Sequence, residues 1–398
     1  MTNIDIRHGD CLAILRELPD DSVDSIVTDP PYGLSNTKPK QVADVLAAWV
    51  TGNTEAVPAK KGGFMGKDWD SFVPPPAVWA ECLRVLKPGG HMAVFAGART
   101  QDLMGLSIRL AGFEIRDSLG WVYGSGFPKS MDVSKAIDKA AGASATPDAA
   151  RWSGWGTALK PAIEPIILAR KPLVGTVAQN VLEHGVGGLN IDACRVGTGG
   201  HLAWSKPRDM GYHGGTDTEG SVATKSPAGR FPANVLLDEH AATEMDKQSG
   251  WQKDSVTVRR NIPADGRESN PNGIYGSRVR PASPDVSYGG EGGASRFFPV
   301  FKYQAKAPKR ERPVIEREDG TKVQHPTVKP LALLDWLVTL TTPPGGTVLD
   351  PFAGSGTTLQ AARNKGFKAI GVEQDPDYIQ LIHARLENAE ENLFTTTN

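Results

Sequence analysis

The chain has 398 residues, 39% of them hydrophobic and 22% charged, with a formal net charge of -1. That length can bury a substantial core in one large domain or in two to three smaller ones. The balanced charge gives no global sign of a nucleic-acid partner, so only a local concentration of Lys and Arg could supply one.

Cys11, Cys82 and Cys194 are far apart and form no CxxC pair, which suggests neither a disulfide framework nor a cysteine metal site. The eight histidines contain no HExxH or other metal spacing, and no metal is expected. MTNIDIRHGD is not a leader-type segment, and no run approaches the roughly 18 apolar residues that span a bilayer. A reducing, cytoplasmic setting without a membrane partner is the expectation.

Residues 3–9 read as a short strand closed by Asp10, CLAILREL as a helix, LPDDS as its break and VDSIVTD as a buried strand. Strand, helix, strand makes a βαβ unit and puts Asp10 and Asp29 at the carboxyl ends of parallel strands, where ligands bind in open sheets. A long loop is expected from about Gly33 to Asp70. AVWAECLRVLK then reads as a helix, PGG as a turn, HMAVFAG as a strand, QDLMGLSIRLAG as a helix, and FEIRDSLGWVY and IEPIILAR as further strands. From about 173 to 320 Gly, Pro, Ser and Asn accumulate and periodicity weakens, which marks a second module or a large insertion. Order returns at HPTVKP, 325–330, followed by the helix LALLDWLVTLT, the strand TVLD, the loop PFAGSGTT, a helix LQAARNKG, the strand KAIGVEQD and a last helix from Tyr378.

VLDPFAGSGTT joins a strand to a helix, and an acid, Glu373, ends the next strand. The GxGxxG dinucleotide fingerprint is missing, and no GK[ST] marks a triphosphate loop. What remains is a site for an adenosine-containing ligand without a phosphate chain. Glu373 is placed to accept ribose hydroxyls, and Asp350 can hold an ammonium group. S-adenosylmethionine has those groups and no phosphate.

DPFAGSGTT (350–358) and TDPPYG (28–33), in that reversed order and with HPTVKP between them, resemble the amino-methylating DNA methyltransferases of the permuted β group. That family modifies adenine N6 or cytosine N4. The resemblance covers about residues 3–172 and 295–395. It implies an α/β fold: a Rossmann-like methyltransferase sheet in circularly permuted motif order, with an inserted Gly-rich target-recognition region. Residues 1–172 would form the catalytic half, 173–310 the DNA target-recognition region and 311–398 the cofactor-binding half. S-adenosylmethionine would be held by Asp350, Pro351, Phe352, Gly354, Ser355, Gly356, Thr357 and Glu373. NIDIRHGD would supply the strand beyond the one bearing Glu373, with Asp10 beside the cofactor adenine. Asp10 could equally be a helix cap, Phe352 a core residue, and His325 and Lys329 either cofactor-side groups or residues that shape the entry to the next helix.

An exocyclic amine on adenine is a poor nucleophile because its lone pair is delocalised into the ring. Asp29 can accept one of its hydrogens, and the carbonyl of Pro30 another, since proline keeps its acceptor but has no competing N–H. Pro30 and Pro31 stiffen the backbone, and Tyr32 offers an aromatic face for the base. A base within a duplex cannot reach such a pocket, so the nucleotide is expected to be extruded from double-stranded DNA. No cysteine nucleophile of the PCQ type is present.

From 251 to 312 there are twelve Lys and Arg against six Asp and Glu, interleaved with aromatic residues and glycines. This suits a surface that tracks phosphates and contacts bases, with Arg259, Arg260, Arg278, Arg280 and Lys302 as candidate DNA contacts. A solvated charged loop is the plainer reading. The function expected is site-specific adenine-N6 methylation of DNA, with cytosine-N4 methylation and an inactive DNA-binding relic of the fold as alternatives. The resemblance also raises a homodimer and a separately encoded restriction endonuclease as partners.

Overall fold

The computed structural model describes residues 3–58, 68–124, 126, 128, 130–197, 229–253, 291–301 and 312–395. In chain order the strands are β1 (Ile4–His8), β2 (Val23–Thr28), β3 (Leu86–Phe95), β4 (Glu114–Val122), β5 (Ile163–Arg170), β6 (Val235–Asp238), β7 (Gln252–Lys253), β8 (Glu291–Gly292), β9 (Val300–Phe301), β10 (Val314–Glu316), β11 (Lys322–Gln324), β12 (Thr347–Asp350) and β13 (Lys368–Glu373). The helices are α1 (Cys11–Glu17), α2 (Pro39–Val50), α3 (Pro76–Val85), α4 (Gln101–Leu110), α5 (Val133–Ala141), α6 (Pro147–Arg151), α7 (Val177–His184), α8 (Glu239–Ser249), α9 (Leu331–Thr341), α10 (Thr357–Asn364) and α11 (Pro376–Thr395).

Two compact units emerge. One comprises Met1–Cys194, Asn234–Ala241 and Val300–Asn398, the other Arg195–Ala233 and Ala242–Pro299. The first unit therefore reaches past position 172 and takes in pieces of the stretch 173–310.

A nine-stranded sheet, in the order β1-β13-β12-β2-β3-β5-β4-β6-β9, forms the first unit. Its alternating residues divide between two cores. Ile26, Met92, Val94 and Ile167 pack with α1, α3 and α4 on one face, and Val27, Ala93, Phe95, Ile166 and Leu168 pack with α9 and α10 on the other. A sheet covered on both faces needs strands apolar on both sides, and β2 is buried along its whole length. β1 pairs in parallel with β13, His8 opposite Glu373, so the N-terminal strand sits where the resemblance put it.

Three sequence expectations change. β5 lies between β3 and β4 and runs antiparallel to both, so the sheet is mixed. PGG is not a turn between elements but lies inside β3, where Val23 pairs with Leu86 and Ser25 already pairs with His91. The extra residues loop out as a bulge, with Gly89 at φ +78°. The loop from Gly33 to Asp70 contains α2, whose Val42, Val45, Leu46 and Trp49 recur at helical spacing and pack on the first core.

The second unit carries a small β7–β8 ladder and an Asp246 carboxylate that accepts the Ser295 N–H at 2.8 Å and hydroxyl at 2.7 Å. Arg230 and Arg296 lie 4.9 and 4.4 Å from the Phe297 ring centroid.

Candidate active site

β2 ends at Thr28, and the DPPY turn follows at the carboxyl edge of the sheet. The turn is held from outside. Asp70, only 3% exposed, accepts the backbone N–H groups of Tyr32 and Gly33 at 2.7 and 3.0 Å. The Thr100 hydroxyl donates to the Tyr32 carbonyl at 2.6 Å. Gly33 has φ +68°, and a Cβ there would lie 2.9 Å from the Val73 nitrogen, so no other residue fits the turn. Neither Asp70 nor Thr100 was legible as a site residue, because nothing local in the sequence links them to position 32.

The side chains of this turn meet groups from two distant segments. The Tyr32 hydroxyl donates to Asp29 Oδ1 at 2.8 Å, and Lys329 Nζ lies 2.8 Å from Asp29 Oδ2 and 3.0 Å from the Tyr32 oxygen. Glu164 Oε2 is 3.3 Å from the Tyr32 hydroxyl and 3.2 Å from Lys329 Nζ. The ammonium also lies 5.2 Å from the Tyr32 ring centroid and 5.0 Å from that of Phe95. Burial disfavours the charged form of Lys329, but Asp29 and Glu164 more than offset it, and its pKa stands above the ordinary lysine value. Burial, then the two carboxylates, raise the Tyr32 phenol well above its ordinary value, so it remains a hydrogen donor. Lys329, expected either as a cofactor-side group or as shaping the entry to the next helix, has its ammonium in the Asp29 cluster. Glu164 was missed. Its signal was an acid and a proline opening an otherwise apolar strand, whose antiparallel course brings that start to the active edge.

At the glycine loop the contacts of Glu373 are local. Glu373 Oε2 accepts the Gly354 N–H at 2.8 Å and Oε1 the Asp375 N–H at 2.9 Å. Burial nevertheless pushes its pKa up to about 7. Asp350 Oδ1 accepts the Thr28 hydroxyl at 2.7 Å and the Phe352 N–H at 3.1 Å, and burial raises this carboxyl to about 6. His325 stacks edge-on against Tyr378 at 4.7 Å, and burial lowers its pKa to about 4, so it is neutral. A Cβ on Gly354 would lie 3.0 Å from His325 Nε2, which ties this glycine to the HPTVKP segment. Behind the loop, buried Arg385 donates to the Ser355 carbonyl and to Gln360 at 3.0 Å, a brace from α11 that sequence reading did not single out.

One cavity of about 1160 Å³ joins the two halves. Asp29, Pro30, Pro31, Tyr32, Asp10, His325, Lys329, Asp350, Pro351, Phe352, Gly354, Ser355, Thr357 and Glu373 all line it, with Glu164. Gly356 is not in the lining; at φ +80° it turns the loop into α10. Asp10 both lines the cavity and caps α1, accepting the Ala13 N–H at 3.0 Å. Phe352 likewise lines the cavity and packs against Trp79, with ring centroids 6.3 Å apart. Cys11 is in the lining too, its thiol pushed up to about 12, first by burial and then by Asp10, and so protonated at neutral pH. Arg259, Arg260, Arg278, Arg280 and Lys302 lie outside the described residues.

The family model described as DNA methylase, for the N6 and N4 amino-methylating enzymes, matches residues 23–384. The chain belongs to this DNA methylase family. It is a DNA methyltransferase of the amino-methylating kind, and its sheet is the Rossmann-like methyltransferase fold. The type II methyltransferase M.HindIII of Haemophilus influenzae is 23% identical over 408 residues, covering 98% of this chain and 97% of that protein. M.ScaI of Streptomyces caespitosus is 35% identical over 79 residues, 20% of this chain and 26% of its own length. Among solved structures, the PvuII DNA methyltransferase (cytosine-N4-specific) aligns with a TM-score of 0.46 at 16% identity, covering 97% of this chain and 86% of the other. The M1.HpyAVI–SAM complex aligns with a TM-score of 0.40 at 17% identity, covering 96% and 98%. Among the described residues no helix is long and apolar enough to cross a membrane.

Proposed function

We propose that this DNA methyltransferase uses S-adenosylmethionine to methylate N6 of adenine in a base extruded from duplex DNA. The observation that carries the reading is one cavity lined both by Asp29–Tyr32 and by the glycine loop with Glu373.

The cofactor fits the donor set. Glu373, Asp350 and Asp10 put three carboxylates at neighbouring strand ends, suited to ribose hydroxyls and an ammonium, and the loop has no lysine to meet a phosphate. Bound there, S-adenosylmethionine supplies an electrophilic methyl group on a positively charged sulfur. Glu373 would hold the ribose, Asp350 the ammonium, and Phe352 would cover the adenine ring. Asp29 accepts a hydrogen of the target amine and the Pro30 carbonyl a second, which returns the nitrogen lone pair from the ring. Tyr32, anchored at both its N–H and its carbonyl, keeps its ring fixed for stacking. The permuted motif order accords with β1 pairing beside β13, which carries Glu373.

The stretch 173–310 supplies target recognition in this reading, supported by the Lys and Arg surplus and the interleaved aromatic residues counted from 251 to 312. The test is to incubate the full chain with unmethylated DNA and S-adenosylmethionine, digest the DNA and identify the modified nucleoside by mass spectrometry. N6-methyladenine is expected. N4-methylcytosine would transfer the same pocket to the other base, and no modified nucleoside would overturn the reading.

A further inference from the structure

The Tyr32 cluster contains one more carboxylate than the proposed chemistry uses. Asp29 and Lys329 alone would neutralise each other, and adding a second anion to a largely buried site is unfavourable unless it has a task. Asp29 also has no idle oxygen, since Oδ1 takes the Tyr32 hydroxyl and Oδ2 the Lys329 ammonium. An incoming amine hydrogen competes with the donors already on this carboxylate, and a hydroxyl that yields its place is left buried without an acceptor unless another stands beside it.

Glu164 stands on the same two donors, 3.3 Å from the Tyr32 hydroxyl and 3.2 Å from Lys329 Nζ, against 2.8 Å for each to Asp29. We infer that Glu164 is a positioning residue for methyl transfer, receiving the Tyr32 hydroxyl when Asp29 turns to the target amine. This rests on Asp29 being the amine acceptor. The hydroxyl has one proton, and rotation about its C–O bond redirects that proton from one carboxylate to the other with little movement of heavy atoms. Lys329 has three hydrogens, enough for Asp29, Glu164 and the Tyr32 oxygen together, so it holds both carboxylates in register during the exchange. Glu164 itself is fixed. The next residue, Pro165, has a locked φ and accepts the Ala96 N–H at 2.9 Å, and Ile166 is fully buried.

The experiment is single-turnover methyl transfer by the full chain, with tritiated S-adenosylmethionine and unmethylated plasmid DNA, alongside calorimetric binding of S-adenosylmethionine. Glu164→Ala is expected to slow transfer by about 10- to 100-fold, the effect of stranding one buried hydroxyl, with cofactor affinity unchanged. Glu164→Gln retains an acceptor oxygen and should come within about threefold of the wild type. In a Tyr32→Phe background no hydroxyl remains to be received, so Glu164→Ala should cost no more than about threefold further. An unchanged rate in Glu164→Ala, an equal loss in both backgrounds, or a parallel loss of cofactor binding would each overturn the inference. Should Glu164→Ala lose its cooperative melt, Glu164→Gln decides alone, and a loss of about 100-fold there counts against the acceptor role. A wild-type chain that transfers no methyl group to DNA overturns the parent reading instead, so the two failures are distinct.

Discussion

The two halves of the cavity are built differently. At the glycine loop, Glu373 is held by the backbone N–H groups of Gly354 and Asp375, and Asp350 by the Phe352 N–H together with the Thr28 hydroxyl at the end of β2. At the DPPY turn, Asp29 and Tyr32 are held by Lys329, Glu164, Asp70 and Thr100, from four separate segments. A carboxylate fixed by its own loop makes a cradle that forms with the loop. A cluster drawn from distant segments exists only once the sheet has closed, and its donors can be exchanged when a substrate arrives.

If this division of labour is right, damage to one half should leave the other working. Asp29→Ala should lower the rate of methyl transfer by about 10²- to 10⁴-fold while S-adenosylmethionine binding, measured by calorimetry, is nearly unchanged. Equal loss of both would break the comparison. Glu373→Ala should do the reverse, raising the cofactor dissociation constant by about ten- to hundredfold through the loss of one or two hydrogen bonds, with transfer recovering at saturating cofactor. An unchanged constant would remove Glu373 from the site.

The pH dependence sharpens the same contrast. Burial raises Glu373 to about 7, and ribose hydroxyls donate to the anion, so cofactor affinity should weaken by up to about tenfold as pH falls from 8 to 6. Glu373→Gln should abolish that slope. For the free protein the sign runs the other way: a carboxyl whose pKa is raised on folding contributes stability below the unfolded value, and that contribution is lost as pH rises through about 7. The melting temperature of Glu373→Gln should therefore fall less over that window than that of the wild type.

The smallest effect concerns neither half. Neutralising Arg259 and Arg260 together should weaken DNA binding and flatten its salt dependence by up to about two units of slope, at roughly 0.9 per phosphate contact, with cofactor affinity unmoved. A solvated loop would leave both quantities unchanged.

Much of this protein was determined by its sequence alone. Alternating and helical apolar spacing placed β1, β2, β4, β5, α1, α3, α4, α9 and the whole run from β12 to α11, because burial on a two-faced sheet demands those patterns locally. The same spacing was present for α2 in Val42, Val45, Leu46 and Trp49, hidden among glycine clusters that suggested a loop. Glu373 was legible beside the glycine loop because its contacts with the Gly354 and Asp375 N–H groups span 19 and 2 residues. Tertiary structure decided the rest. Asp70, Glu164, Arg385 and the place of Lys329 depend on strand order and on the antiparallel insertion of β5 between β3 and β4, which delivers Glu164 to the edge where Asp29 lies. No local pattern encodes that meeting. Strand order is set by how the whole chain packs, so groups 38, 132 and 297 residues from Tyr32 become its partners only when the sheet is complete.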